Sequence, residues 1–141
     1  MKKRFLFFLF MIPALLLVGC AEAIFIQTPG GSYEFLEARL EQTYDGNTAE
    51  QGRAYLLVYL EGKSASMEDM ADSFFSNEKS SVSVDFGGES VPCQSIRYTA
   101  LSENANPDIM VTLVFDVPAA SAETCVLSGD AINPITLKVK Q

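Results

Sequence analysis

The chain predicts an all-β domain, a β-sandwich of about seven short strands with one short helix in a connection. Three observations carry this expectation. Apolar and polar residues alternate over several short segments, most cleanly at Ile109, Val111, Leu113, Phe115 and Val117. Turn chemistry separates those segments, as in Asp45-Gly46-Asn47, Gly87-Gly88 and Ser128-Gly129-Asp130. Only one stretch, residues 66–75, changes from a period of two to helical spacing.

The elements follow in order. Pro29-Gly30-Gly31 is a breaker, and the domain is expected from residue 32 to residue 141. Residues 32–42 alternate, with Leu36, Ala38 and Leu40 on one face and Glu37, Arg39 and Glu41 on the other. Tyr33 and Phe35 fall on that second face, so the alternation is clean only from Leu36 onward. Residues 54–60 are apolar on both faces, as in a central strand covered on both sides. Met67, Met70, Ala71 and Phe74 then recur at helical spacing, with Ser66 placed to cap and Glu68 and Asp69 in the first turn. That stripe either packs against the sandwich or offers Met67, Met70 and Phe74 as a partner patch. Val82, Val84 and Phe86 form the next strand, and residues 90–98 return after Gly87-Gly88. The strand at 109–117 ends at Pro118, residues 123–127 form the penultimate strand, and Ile135, Leu137 and Val139 mark the last.

The N-terminus has a different character. Lys2, Lys3 and Arg4 precede an apolar run from Phe5 to Val18, broken only by Pro13. This predicts a secretory signal over residues 1–19, and the run is short for a transmembrane anchor. It ends Leu17-Val18-Gly19-Cys20, which resembles the lipobox of bacterial lipoprotein precursors. The resemblance implies cleavage after Gly19, a diacylglycerol thioether on Cys20 and a lipidated tether over residues 20–31. It places the domain on the extracytoplasmic side of the cell membrane, because two acyl chains hold a protein stably where one does so marginally. Ordinary secretory cleavage at the same bond would instead leave Cys20 as a free thiol. Ile24, Phe25 and Ile26 in the tether either pack on the domain or lie at the lipid surface.

All 18 acidic residues but only 7 of the 10 basic ones follow residue 19, which leaves a net charge of −11 beyond the signal. So acidic a domain repels nucleic acid and anionic lipid and favours cationic partners, and the same charge keeps an exported domain soluble. Beyond Cys20 the cysteines are Cys93 and Cys125. Outside the cytoplasm they are a disulfide candidate closing a loop of about 32 residues, worth roughly 3–4 kcal/mol. The alternative is a pair of buried thiols packed as small apolar residues.

Catalytic signatures are sparse. There is no histidine, which removes the usual base of Ser and Cys nucleophiles and the commonest metal ligand. No Gly-x-Ser-x-Gly elbow or phosphate-binding loop occurs, and Cys93 and Cys125 form no Cys-x-x-Cys pair. Asp85, Glu89 and Asp116 have side chains able to do acid–base chemistry, but nothing in the sequence pairs them. Glu68, Asp69 and Asp72 match no EF-hand spacing and read as a solvated helix face. No enzyme activity, metal or cofactor is predicted.

Tyr33 to Leu40, the run Gly52 to Leu60, Gly87-Gly88 and Val114-Phe115-Asp116-Val117-Pro118 resemble an immunoglobulin-like domain of unknown function found in Gram-positive surface lipoproteins. A related sandwich occurs in a secreted immunoprotective antigen of mycobacteria. The resemblance implies an immunoglobulin-like β-sandwich and brings no catalytic residues with it. The expected role is a non-enzymatic binding or structural module of the envelope, with an unknown protein or envelope ligand. The alternative is an inhibitor or immunity-type lipoprotein directed at a cationic hydrolase such as a lysozyme.

Overall fold

Strand pairing begins earlier than the breaker at Pro29-Gly30-Gly31 suggests. The computed structural model describes residues 22–63, 66–76, 79–105 and 107–141, so the basic start, the apolar run and Cys20 lie outside the described residues. Within the segment expected to be a tether, β1 (Ile24–Thr28) pairs antiparallel with β2 (Gly31–Glu41). Ile26 is buried and Phe25 is exposed, so the tether expectation gives way to a strand over residues 24–28. The physical reason is ordinary alternation: Ile24 and Ile26 share one face, and β2 supplies a free edge.

The remaining elements lie close to the predicted segments. β3 (Thr43–Tyr44) and β4 (Asn47–Thr48) form a small hairpin at Asp45-Gly46. β5 (Arg53–Gly62) leads to α1 (Met67–Phe74), followed by a two-residue ladder of β6 (Phe75–Ser76) and β7 (Lys79–Ser80). β8 (Val82–Phe86), β9 (Glu89–Pro92), β10 (Ser95–Ala100), β11 (Ile109–Pro118), β12 (Thr124–Gly129) and β13 (Ile132–Lys140) complete the chain.

Among the described residues the main sheet has nine strands in the order β10-β11-β5-β2-β13-β12-β8-β9, with β1 added beside β2. It curls into a half-barrel around one core. β5 is central, paired along its length with β11 and with β2. That position explains why it is apolar on both faces. Leu56, Val58 and Leu60 enter the core, while Leu57 is buried on the outer face opposite Val114.

Two places hold the curl. The pattern of residues 90–98 predicts one strand, but the chain changes partner inside it. The Cys93 amide donates to the Val82 carbonyl at 2.9 Å, and the Gln94 amide donates to the Val114 carbonyl at 2.8 Å. One peptide bond thus passes the chain from β8 to β11. The second place is β2, whose first half pairs with β1 and whose second half meets β13 in parallel, at Val139↔Ala38 and Lys140↔Arg39.

The imperfect alternation of residues 32–42 has a specific cause. Phe35 pairs with Leu60 and Glu37 pairs with Tyr59, which leaves Leu36 without a partner in β5. This bulge reverses the parity of the strand. Tyr33 and Ala38, five residues apart, are therefore both buried, and Leu36, expected on the apolar face with Ala38 and Leu40, is 41% exposed.

Helix α1 seals one end of the core. Ser66 Oγ accepts from the Asp69 amide at 3.0 Å and Asp69 Oδ2 accepts from the Ser66 amide at 2.9 Å, a reciprocal cap. That bonding holds the Asp69 carboxyl below its ordinary range. Met70 and Phe74 are buried, and Phe74 meets Tyr33 edge-on at 4.8 Å. The partner-patch alternative for Met70 and Phe74 is thereby corrected: they are core residues, and the side chain of Met67 lies outside what is described. Ser73 Oγ donates to the Asp69 carbonyl at 2.7 Å and lies 2.6 Å from Thr28 Oγ1, which fastens the β1–β2 turn to the helix.

Gly30 sits in that turn, and a Cβ there would fall 2.0 Å from the Asp69 carbonyl oxygen. Gly30→Ala should therefore push the turn off α1 and destabilise the protein by roughly 1–3 kcal/mol. Urea unfolding measures this, and an unchanged midpoint would show that the turn does not bear on the helix.

Candidate binding groove at the fork of β2

The exchange of β1 for β13 along β2 leaves an opening between the middle of β2 and the last residues of β13. A groove of about 530 Å³ occupies it, lined by Phe35, Leu36 and Ala38 of β2, Thr124 of β12, and Lys138 and Val139 of β13. The lining is mainly apolar because the bulge turns Leu36 outward just where the ladder with β13 has not yet begun. A second hollow of about 350 Å³, lined by Leu36, Glu37, Arg39, Tyr59 and Met110, lies on the outer face of the sheet. Leu36 borders both.

Charge around the opening is largely paired. Lys140 Nζ donates to Glu37 Oε2 at 3.0 Å, and Arg39 lies 3.4 Å from Glu37 Oε1 and 3.1 Å from Glu41 Oε1. The Arg39 guanidinium lies over the Tyr59 ring, 5.2 Å from its centroid, and donates to Tyr59 Oη at 3.2 Å. Such half-exposed pairs contribute little stability, about 0–1 kcal/mol each. Their effect here is to fix side-chain positions, leaving an apolar groove with a charged rim. A polar hollow of about 130 Å³ lies further along the outer face, where Tyr44 packs on Tyr55 with ring centroids 6.1 Å apart. Arg97 lies over Tyr44 and pairs with Asp45.

The carboxylates singled out from the sequence do not gather into a reactive pair. Glu89 and Asp116 do meet, but around Arg53, which donates to Asp116 Oδ1 at 2.9 Å and to Glu89 Oε2 at 3.2 Å. That arrangement ties the end of β9 to the end of β11 and leaves neither carboxylate without a counter-ion. Asp85 is exposed on β8. Among the described residues, no three His, Cys, Asp or Glu side chains cluster as metal ligands. The groove presents mainly apolar surface with charged groups at its rim.

Sequence reasoning missed Leu36, Lys138 and Lys140 as a group. The visible trace was the broken alternation at Phe35–Leu36, which is the bulge itself. Nothing in the sequence announced that β13 would arrive beside it.

The cysteines are a second correction. Cys93 and Cys125 are free and buried. Both point inward, as their alternation with Val91 and Leu127 implies, but they lie at opposite ends of β8. The Cys93 amide bonds Val82, while Cys125 is next to Val126, which pairs with Asp85. Three to four residues of strand separate those positions, roughly 10–13 Å at about 3.3 Å per residue. A disulfide needs Cα atoms within about 7 Å. Cys93 Sγ instead donates to the Ser95 carbonyl at 3.2 Å and lies 3.6 Å from the Val114 carbonyl.

Burial pushes the Cys93 thiol up and the Cys125 thiol up to about 11 from 9.0. Both stay protonated and unreactive at neutral pH. Because the folded Cys125 holds its proton more tightly than the unfolded one, its contribution to stability is full below pH 9 and falls as pH rises toward about 11. Without reductant, the native protein should resist alkylation at both residues and the denatured protein should yield both thiols. Mass mapping of alkylated peptides checks this, and a Cys93–Cys125 linked peptide would contradict it.

No protein-family model, no curated protein and no solved structure matches this chain.

Proposed function

We propose that this chain is a bacterial surface lipoprotein, anchored through diacylglycerol on Cys20, whose β-domain is a non-enzymatic binding or structural module of the cell envelope. The observation that carries the proposal is Leu17-Val18-Gly19-Cys20 at the end of a basic-then-apolar start. The described domain supports it. β-structure starts at Ile24, so an anchor on Cys20 leaves almost the whole remaining chain to a folded domain. No helix among the described residues is long and apolar enough to cross a membrane. The hollow of about 530 Å³ beside β2 is an apolar groove with charges at its rim, suited to binding.

The finer fold assignment belongs to the same proposal. The half-barrel has two faces, β10-β11-β5-β2 and β13-β12-β8-β9, enclosing one core. That arrangement supports a variant of the immunoglobulin-like sandwich in which the faces are joined by the β2–β13 contact and the Cys93–Gln94 crossing. The inhibitor alternative keeps one support, the net charge of −11 beyond residue 19. Its other support, a disulfide between Cys93 and Cys125, is absent. Binding to a cationic lysozyme at low ionic strength, lost at high salt, would favour it over the general module.

Intact mass of the protein from its own membrane should show diacylglycerol on a new N-terminal Cys20, and Cys20→Ser should accumulate as an uncleaved precursor. A mature wild-type protein beginning at an unmodified Cys20 would refute the lipoprotein assignment.

A further inference from the structure

Exposed apolar side chains are concentrated near the start of the described chain. Ile24, Phe25 and Leu36 are 36%, 50% and 41% exposed. They lie close together along the β1–β2 ladder, where Ile24 pairs with Phe35 and Phe25 with Glu34, with Ile24 and Phe25 on alternate sides of the strand at the point where the chain enters the sheet. Among the described residues the other large exposed apolar side chains, Tyr98 and Leu101, lie on and just beyond β10, three strands from β2 in the sheet order.

The length of chain before β1 decides what covers this patch. Three residues, 21–23, separate Cys20 from Ile24. Fully extended, four peptide steps reach only about 14 Å. A domain of this size has a radius of gyration of about 13–14 Å and is wider than that leash is long. A lipid anchor on Cys20 therefore holds the domain by its β1 side, with the bilayer surface close to Ile24. Phe25 and Leu36 are the apolar groups available on that side. Three of the seven basic residues beyond the signal, Arg39, Lys138 and Lys140, stand beside the same opening. They partly offset the four acidic residues Glu34, Glu37, Glu41 and Glu123 near it, so this side is less acidic than a domain whose summed charge repels anionic lipid.

We propose that the fork of β2 is the membrane-facing side of the protein, with Ile24, Phe25 and Leu36 resting in the lipid interface beside the anchored Cys20. This rests on the lipoprotein assignment and adds an orientation to it. The β10 edge with Tyr98 and Leu101, and the outer-face hollow around Tyr44 and Arg97, then point away from or along the membrane. They are the surfaces free to meet other molecules.

The absence of tryptophan permits a direct test on the full-length, lipidated protein. Phe25→Trp, Leu36→Trp and Leu101→Trp each introduce a single indole reporter at an exposed position. The vesicles are phosphatidylcholine carrying bromine near the headgroup end of the acyl chains. The Phe25→Trp and Leu36→Trp reporters are expected to lose about half their emission or more, because interfacial side chains sit about 5–10 Å into the headgroup boundary. The Leu101→Trp reporter is expected to be unaffected. Intact mass is read on the same samples. Lipidated Cys20 with no quenching of the Phe25→Trp and Leu36→Trp reporters overturns the orientation and leaves the lipoprotein assignment standing. Unmodified Cys20 overturns both. Blue-shifted but unquenched emission together with a cross-linked dimer assigns the patch to a second copy and also overturns the orientation.

Discussion

A change of hydrogen-bond partner within one peptide bond underlies the shape of this molecule. At Cys93 the chain is still bonded to β8, and at Gln94 it is bonded to β11. Without that transfer, β9 and β10 would be two unconnected edges at opposite ends of the strand order. The two amide bonds contribute only about 0.5–1.5 kcal/mol each. What makes the crossing hold is what it allows to be buried. Leu113 and Phe115, on either side of Val114, are fully buried, and fully burying side chains of this size is worth about 1.5–3 kcal/mol each. Packing therefore sets the curl, and the crossing is the backbone route compatible with it.

The opposite corner is closed far more sparingly. β13 meets β2 over two residue pairs, because β1 already occupies the first half of the same edge. A strand shared in this way must fork, and the bulge at Leu36 lies at the fork. The groove, the outward Leu36 and the exposed Phe25 share that single cause. So does the position of β1 on the flank of the sheet. The groove is thus a by-product of how the sheet is closed.

Much of the architecture was legible in the sequence because its signals are local. Strict alternation marked β8, β11 and β13, the double-faced apolar run marked β5 as central, and Ser66 with Asp69 marked the start of α1. What was not legible depends on long-range register. Ile24, Phe25 and Ile26 gave too short a signal to choose between strand and tether until β2 offered an edge. The segment 90–98 carries no local sign that it serves two partners. Cys93 and Cys125 both face inward, as alternation implied, yet their pairing depends on their heights along β8, which alternation does not encode. The stripe of Met70 and Phe74 read from sequence as packing first, with docking as the alternative, and the edge-on contact of Phe74 with Tyr33 decides for packing.

The thiols are buried, Glu37 and Glu41 at the groove rim are paired, and exposed Ile24, Phe25 and Leu36 lie where β1 joins β2. That account depends on the sheet being closed at Cys93–Gln94, so that β8 and β11 behave as one cooperative unit. Native-state amide hydrogen exchange at residue resolution tests it most directly. The account predicts that the Cys93 and Gln94 amides exchange only through global unfolding, with the same protection as Val58 and Leu113 at the centre of the sheet. Exchange of Gln94 at the rate of an open loop, with β5 and β11 still protected, would show that the crossing is not closed and would contradict it.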